Sequence, residues 1–159
     1  MSDKVTGFQP VFDANSRLLI LGSFPSVKSR QVDFYYGNPQ NRFWKILFGF
    51  FGEEVRQDTP FKKEFLHRRG VALWDIVTAC EIVGSQDHTI RNYSVADLSE
   101  VLSVAPIQRI FLNGKTAFSI FRKAYPDIET PYECLPSTSP ANPRCDEKVW
   151  IKALEEVFF

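Results

Sequence analysis

Apolar residues in this chain fall into short unbroken runs, each bounded by glycine, asparagine or proline, with stretches of helical periodicity between them. Residues 17–21 (RLLIL) run into Gly22, and 71–76 (VALWDI) follow Gly70. Residues 107–112 (IQRIFL) stop at Asn113-Gly114, and 132–135 (YECL) stop at Pro136. Runs of this length between turn residues predict four buried strands. Helices are predicted between them. Asn38 as N-cap, Pro39 at the first helical position and Gly52 at the end define one, with Asn41 in its first turn. Thr59-Pro60 opens a second that runs to Arg69, and Ser94 with Asp97 three residues on resembles a capping box. Residues 115–124 and 146–158 complete the set, the latter with Val149, Trp150, Ala153, Leu154 and Val157 at helical spacing. Trp44 and Trp74 lie inside strongly apolar runs and are assigned to the core.

Strands alternating with helices predict an α/β fold. We expect a single domain over 1–159, three αβα layers around a mostly parallel, four-stranded central sheet. In such sheets ligands bind beyond the carboxyl ends of the strands. That rule gathers Gly22-Ser23-Phe24-Pro25-Ser26, the segment from Asp75, Asn113-Gly114-Lys115, and Pro136-Ser137-Thr138-Ser139-Pro140-Ala141-Asn142 at one edge. Such small, polar, backbone-exposing residues suit contact with sugar and phosphate. The segment carrying Asn41 can reach the same edge.

Composition narrows the classes. An apolar share of 44% in 159 residues fits a globular core. No apolar run approaches the ~20 residues of a membrane span, and the first residues lack the basic and apolar regions of a signal peptide. A cytoplasmic protein with no membrane partner is the expectation. Cys80, Cys134 and Cys145 are odd in number and widely spaced, which argues against a disulfide, zinc or iron-sulfur framework. The formal net charge is zero, so overall positive potential draws in no nucleic acid. Local basic groups (Lys28 and Arg30, Arg42 and Lys45, Lys62 and Lys63, Arg68 and Arg69, Arg122 and Lys123) leave local contacts open.

Several chemistries are excluded by motif. LLILGSFPS places Ser23 directly after Gly22, so the G-x-S-x-G nucleophile elbow is absent, and the two histidines, His67 and His88, have no triad context. There is no HxH, HExxH, GxGxxG or P-loop. No metal site and no cofactor are expected. Ser85, Asp87 and His88 form a polar segment read as a solvated turn. Two readings of Asn41 stay open, a capping residue or a site residue at the helix mouth; Asp75 is likewise either a capping acid or a group that reads a base edge.

LLILGSFPS, FYYGNPQNRFWKIL, GVALWDIV, IFLNGKTAF and LPSTSPAN, in this order and spacing, resemble the uracil-DNA glycosylase superfamily, most closely its DNA-deoxyinosine (hypoxanthine) glycosylase branch. The resemblance spans residues 17–155. It implies hydrolysis of the N-glycosidic bond of a deaminated purine in double-stranded DNA, in base excision repair, by a monomer. Where related enzymes carry an Asp or Asn that handles the attacking water, this chain has Phe24. The resemblance instead implies Asn41 as the catalytic amide and Phe43 as a base-stacking ring, with Gly22, Ser23, Phe24 and Asp75 around the base. Pro25, Ser26, Lys115, Ser137, Thr138, Ser139, Pro140 and Asn142 are the expected DNA contacts. The late loop has Leu135 where uracil enzymes support the leaving base, and Ser139-Pro140 where they often carry an inserted leucine. A uracil or mismatch glycosylase, and a non-catalytic binder of damaged DNA or nucleosides, are the alternative readings.

Overall fold

The structure, a computed structural model, describes residues 4–159. In chain order its elements are β1 (Val5–Thr6), β2 (Leu18–Gly22), α1 (Val27–Val32), α2 (Phe43–Phe50), α3 (Thr59–Arg69), β3 (Val71–Asp75), β4 (Val77–Glu81), β5 (Arg91–Val95), α4 (Ser99–Leu102), β6 (Arg109–Asn113), α5 (Lys115–Ala124), β7 (Tyr132–Leu135) and α6 (Glu147–Phe158).

Four parallel strands form the central sheet in the order β3-β2-β6-β7. β2 and β3 are buried at every residue, the unbroken apolar pattern of a sheet covered on both faces. The register pairs Gly22 with Asp75, Leu21 with Leu112, and Asn113 with Leu135. All four strands therefore end at one edge. β2 leads to β3 on one side of itself and the chain then crosses to β6 on the other, so the strand order reverses between β2 and β6. The crevice of a doubly wound sheet opens at such a point.

Helices are stapled to this frame by apolar faces. α2 buries Phe43, Trp44, Ile46, Leu47 and Phe48, and Phe48 stacks on Phe65 of α3 with centroids 4.2 Å apart. Asp58 caps α3 by accepting from the Phe61 amide at 2.7 Å. Trp44 and Trp74 are 3% and 4% exposed, as expected of core residues.

Three features depart from the sequence reading. α2 opens at Phe43, not Pro39: Asn38 Oδ1 accepts from Gln40 N at 2.9 Å in a local Asx turn, and residues 38–42 stay non-helical. Ser94 belongs to β5, while Asp97 accepts from Ser99 N at 3.1 Å in a local turn just ahead of α4, whose N-cap is Leu98. A second, antiparallel sheet, β1-β4-β5, accompanies the first. β4 escaped the reading because only Ile76 separates it from β3, giving one apolar run, and β5 is largely exposed and lacks a core face. The three cysteines are free thiols. Among the described residues no helix is long and apolar enough to cross a membrane.

Candidate active site

The reversal of strand order opens into a cavity of about 700 Å³, within the range of small-ligand sites. Its floor is the end of β2. Gly22 is needed there: a Cβ would stand 2.5 Å from Asp75 Oδ1 and 3.0 Å from Tyr36 Oη, and no side chain fits at such a distance. Glycine lets the backbone lie against both groups.

Asp75, at the end of β3, is 5% exposed, and among the described residues its Oδ2 has no hydrogen-bond partner. Burial, reinforced by the charge of Asp87, pushes its carboxyl up to about 8. At neutral pH Asp75 is thus mostly a neutral acid. Tyr36 lines the cavity with its hydroxyl buried; burial first, then the Asp75 carboxyl, raise its pKa, the Asn113 side chain opposes them, and Asp87 adds a smaller push upward. Its backbone is left-handed (φ 51°), a conformation costing ~1–2 kcal/mol for a side-chain-bearing residue. The next residue holds the turn in place, Gly37 N donating to Ser29 Oγ at 3.0 Å.

Asn41 lines the cavity and, one residue ahead of the N-cap Arg42, also satisfies the first amide of α2: its Oδ1 accepts from Phe43 N at 2.9 Å. The two readings of this residue are compatible. Because the amide hydrogen must meet an oxygen, the capping bond fixes which end of the carboxamide faces the helix. One carbonyl lone pair remains for another donor.

The late loop closes the opposite wall. Asn113, at the end of β6, grips Thr138 through paired bonds of 3.0 Å, Nδ2 to Oγ1 and Thr138 N to Oδ1. Gly114 (φ 100°) follows, where a Cβ would lie 3.1 Å from Ser137 Cβ. Arg42 ties this loop to the Asn41 segment, its amide donating to Thr138 O at 3.1 Å and its Nη1 to Asn142 O at 2.9 Å. Ser137, Thr138, Ser139, Pro140 and Asn142 all line the cavity, as do Ser23, Phe24, Pro25 and Ser26 of the first loop.

Two expected site residues lie elsewhere. Phe43 is 1% exposed and stacks on Tyr36 with centroids 4.0 Å apart; it backs the cavity wall that Tyr36 lines. Lys115 is exposed at the first position of α5 and is not among the cavity lining. Conversely, the segment read as a solvated turn reaches the cavity. Ser23 Oγ donates to the Asp87 carboxylate, with oxygens at 2.8 and 2.9 Å, and Ser85 Oγ accepts from Val27 N at 2.9 Å. Burial raises the Asp87 carboxyl, opposed by the Ser23 hydroxyl and His88. Asn113 lies at the ligand edge where the strand-end rule expects it, whereas Tyr36 and Asp87 are unmarked by sequence: Tyr36 is one of three aromatics in FYYG, and nothing in SQDHT singles out its acid. Among the described residues no three His, Cys, Asp or Glu side chains gather in a way that could hold a metal ion.

A doubly wound sheet with a cavity at its strand ends, a fixed carboxamide and a hydroxyl-rich rim defines an α/β protein with a small-ligand site. Sequence comparison makes this specific. The profile of the Uracil DNA glycosylase superfamily matches residues 9–154, and the chain belongs to that superfamily. It is 36% identical over 141 residues to a Methanosarcina acetivorans protein named Hypoxanthine DNA glycosylase, covering 87% of this chain and 88% of the relative. A Methanosarcina barkeri protein of the same name is 35% identical over 114 residues, 70% and 72% of the two chains. The solution NMR structure of a Methanosarcina acetivorans protein provisionally named a uracil DNA glycosylase superposes with a TM-score of 0.83 at 32% identity, covering 98% of this chain and 99% of the other.

Proposed function

We propose that this protein is a monofunctional DNA glycosylase that hydrolyses the N-glycosidic bond of deoxyinosine in double-stranded DNA and releases hypoxanthine. The observation that carries this reading is the match, over most of both chains, to a relative named for that activity. The cavity suits the chemistry. An extruded nucleotide, lifted from the stack at a cost of a few kcal/mol, would place its base over Gly22 and against Tyr36. The hydroxyls and amides of Ser26, Ser137, Ser139 and Asn142 would hold flanking phosphates, a local grip available to a protein of zero net charge.

Asn41 would hold the attacking water on its free carbonyl lone pair. An amide is no general base near neutral pH, so departure of the base runs ahead of attack and the sugar becomes oxocarbenium-like. Stacking of Tyr36 on Phe43 keeps the wall beside the base stiff.

The test is alkaline cleavage of duplex oligonucleotides carrying a single inosine or a single uracil. Strand breaks at inosine exceeding those at uracil are expected. The NMR relative's name favours uracil as the second reading, and preferential cleavage at uracil would establish that one instead. Retention of the inosine duplex in a gel shift without base release would indicate a binder.

A further inference from the structure

One acidic side chain in the cavity has no role in the reading above. Asp87 opens the short 3₁₀ turn Asp87–Thr89, and the Ser23 hydroxyl is its carboxylate's one hydrogen-bond donor among the described residues. A hydroxyl carries one proton, whereas a carboxylate has about four acceptor positions. Most of the acceptor capacity of a cavity-lining anion is therefore unused.

The group is well held. Thr89 N donates to Gln86 O at 2.9 Å, Ile90 N to Asp87 O at 3.1 Å, and Val83 N to Thr89 Oγ1 at 2.9 Å. Together with the Val27–Ser85 bond, these fasten the turn to the first loop at two points. A carboxylate braced in this way is preorganised, as catalytic groups require. Its companion acid sits differently: Asp75 is 5% exposed and mostly protonated at neutral pH, whereas the Ser23 hydroxyl bonds both oxygens of Asp87 and works against the upward push of burial on that carboxyl.

We propose that Asp87 is a further catalytic residue, the base that takes a proton from the water oriented by Asn41 as that water attacks C1′ of the extruded nucleotide. This rests on the deoxyinosine glycosylase reading. The C1′–N9 bond breaks with its electron pair leaving on the purine, and the water oxygen forms the new C1′–O bond. The water proton passes to Asp87 and then to solvent, and solvent reprotonates the purine anion, so water alone is consumed. The titratable groups around Asp87 are Asp75 from β3, Tyr36, Cys80 from β4 and its neighbour His88. The Asp75, Tyr36 and Cys80 pKa values are all raised, which leaves Asp87 to shape the acidic limb of activity.

The experiment measures single-turnover inosine excision and thermal melting for the wild type, Asp87→Asn and Asp87→Ala. Asparagine keeps the shape and can still accept from Ser23; it should cut the rate by ~10² to 10⁴, the range for general-base loss, abolish the acidic limb of the pH profile and melt close to wild type. Added formate should restore part of the rate to Asp87→Ala, an outcome that a purely structural role would not give. Wild-type rate in Asp87→Asn, or a folded Asp87→Ala that formate leaves inactive, overturns the proposal. If Asp87→Ala fails to fold, Asp87→Asn decides. A wild-type protein that releases no hypoxanthine overturns the underlying reading as well; an active wild type with a fully active Asp87→Asn overturns only the role of Asp87.

Discussion

The late loop and the cavity floor are both walls of one cavity, both carry polar side chains, and they treat those side chains in opposite ways. In the late loop Ser137 Oγ accepts from Ser139 N at 3.2 Å, Ser139 Oγ from Ala141 N at 3.1 Å, and Asn142 Nδ2 donates to Ser137 O at 3.0 Å. Those bonds stiffen the backbone and use the serine oxygens as acceptors, which leaves the hydroxyl protons for a phosphate. On the floor, Asp75 Oδ2 has no hydrogen-bond partner among the described residues, a burden of ~1–3 kcal/mol for a buried group. A rim stiffened in this way is suited to gripping a substrate of fixed shape. A floor that leaves a buried carboxyl oxygen unpaired and holds that carboxyl well above the usual carboxylate range is where chemistry is to be sought.

The largest effect expected from breaking this contrast lies under the floor. Phe43→Ala removes the ring on which Tyr36 stacks, and for a fully buried phenylalanine the cost is ~3–5 kcal/mol. Thermal melting should fall steeply, and a melt unchanged from wild type would show that Phe43 is not the support described here.

Next in size is Gly22→Ala, which drives a methyl against Asp75 Oδ1 and Tyr36 Oη. A displacement of about 1 Å at a reacting centre can cost ~10²-fold in rate, so excision should fall by that order while the late loop still binds DNA. Wild-type turnover would mean that the floor has room to spare.

The third prediction concerns pH. Asp75 is raised in the folded protein to about 8, against about 3.9 for an exposed aspartate. Below the unfolded value both states are protonated and the stabilising effect is complete. As pH rises from there the unfolded chain loses its proton first, so stability falls by up to about 1.4 kcal/mol per pH unit until the folded pKa is passed, where the loss levels off. Asp75→Asn should flatten that slope in urea titrations between pH 4 and 8. An identical slope in both proteins would place Asp75 in a wetter setting.

The smallest effect belongs to the rim. Ser137→Ala with Ser139→Ala should weaken binding of an inosine duplex by less than ~10-fold, in line with losing neutral hydrogen bonds of ~0.5–1.5 kcal/mol. The single-turnover rate at saturating protein should be little changed. A large rate loss at unchanged affinity would erase the division between rim and floor.

How far the sequence revealed these regions follows from the same physics. The four parallel strands were legible as apolar runs because both faces of the sheet are covered, and the late loop was legible because Ser, Thr and Pro mark turns. β5 was not, since RNYSV is largely exposed and offers no periodicity. The opening of α2 was misplaced because Asn38 and Pro39 satisfy the rules for a helix start as well as Asn41 does; each asparagine accepts from the amide two residues on, and only the backbone beyond Asn41 goes on to form the helix. Phe43 and Tyr36 lie seven residues apart in one aromatic-rich segment, and sequence gives no means of telling the ring that lines the cavity from the one behind it. Asp87 reaches the cavity through a long-range bond to Ser23, a pairing that no local pattern encodes.

The central claim is that a water held by Asn41 in this cavity cleaves deoxyinosine, and it is tested most directly by single-turnover release of hypoxanthine from an inosine-containing duplex by wild type and Asn41→Ala, with melting curves for both. Removing one preorganised polar group should slow excision by ~10² to 10³, while loss of the cap at α2 lowers stability by only about 1 kcal/mol. A well-folded Asn41→Ala protein that releases hypoxanthine as fast as wild type would contradict the account and leave Asn41 as a helix cap alone.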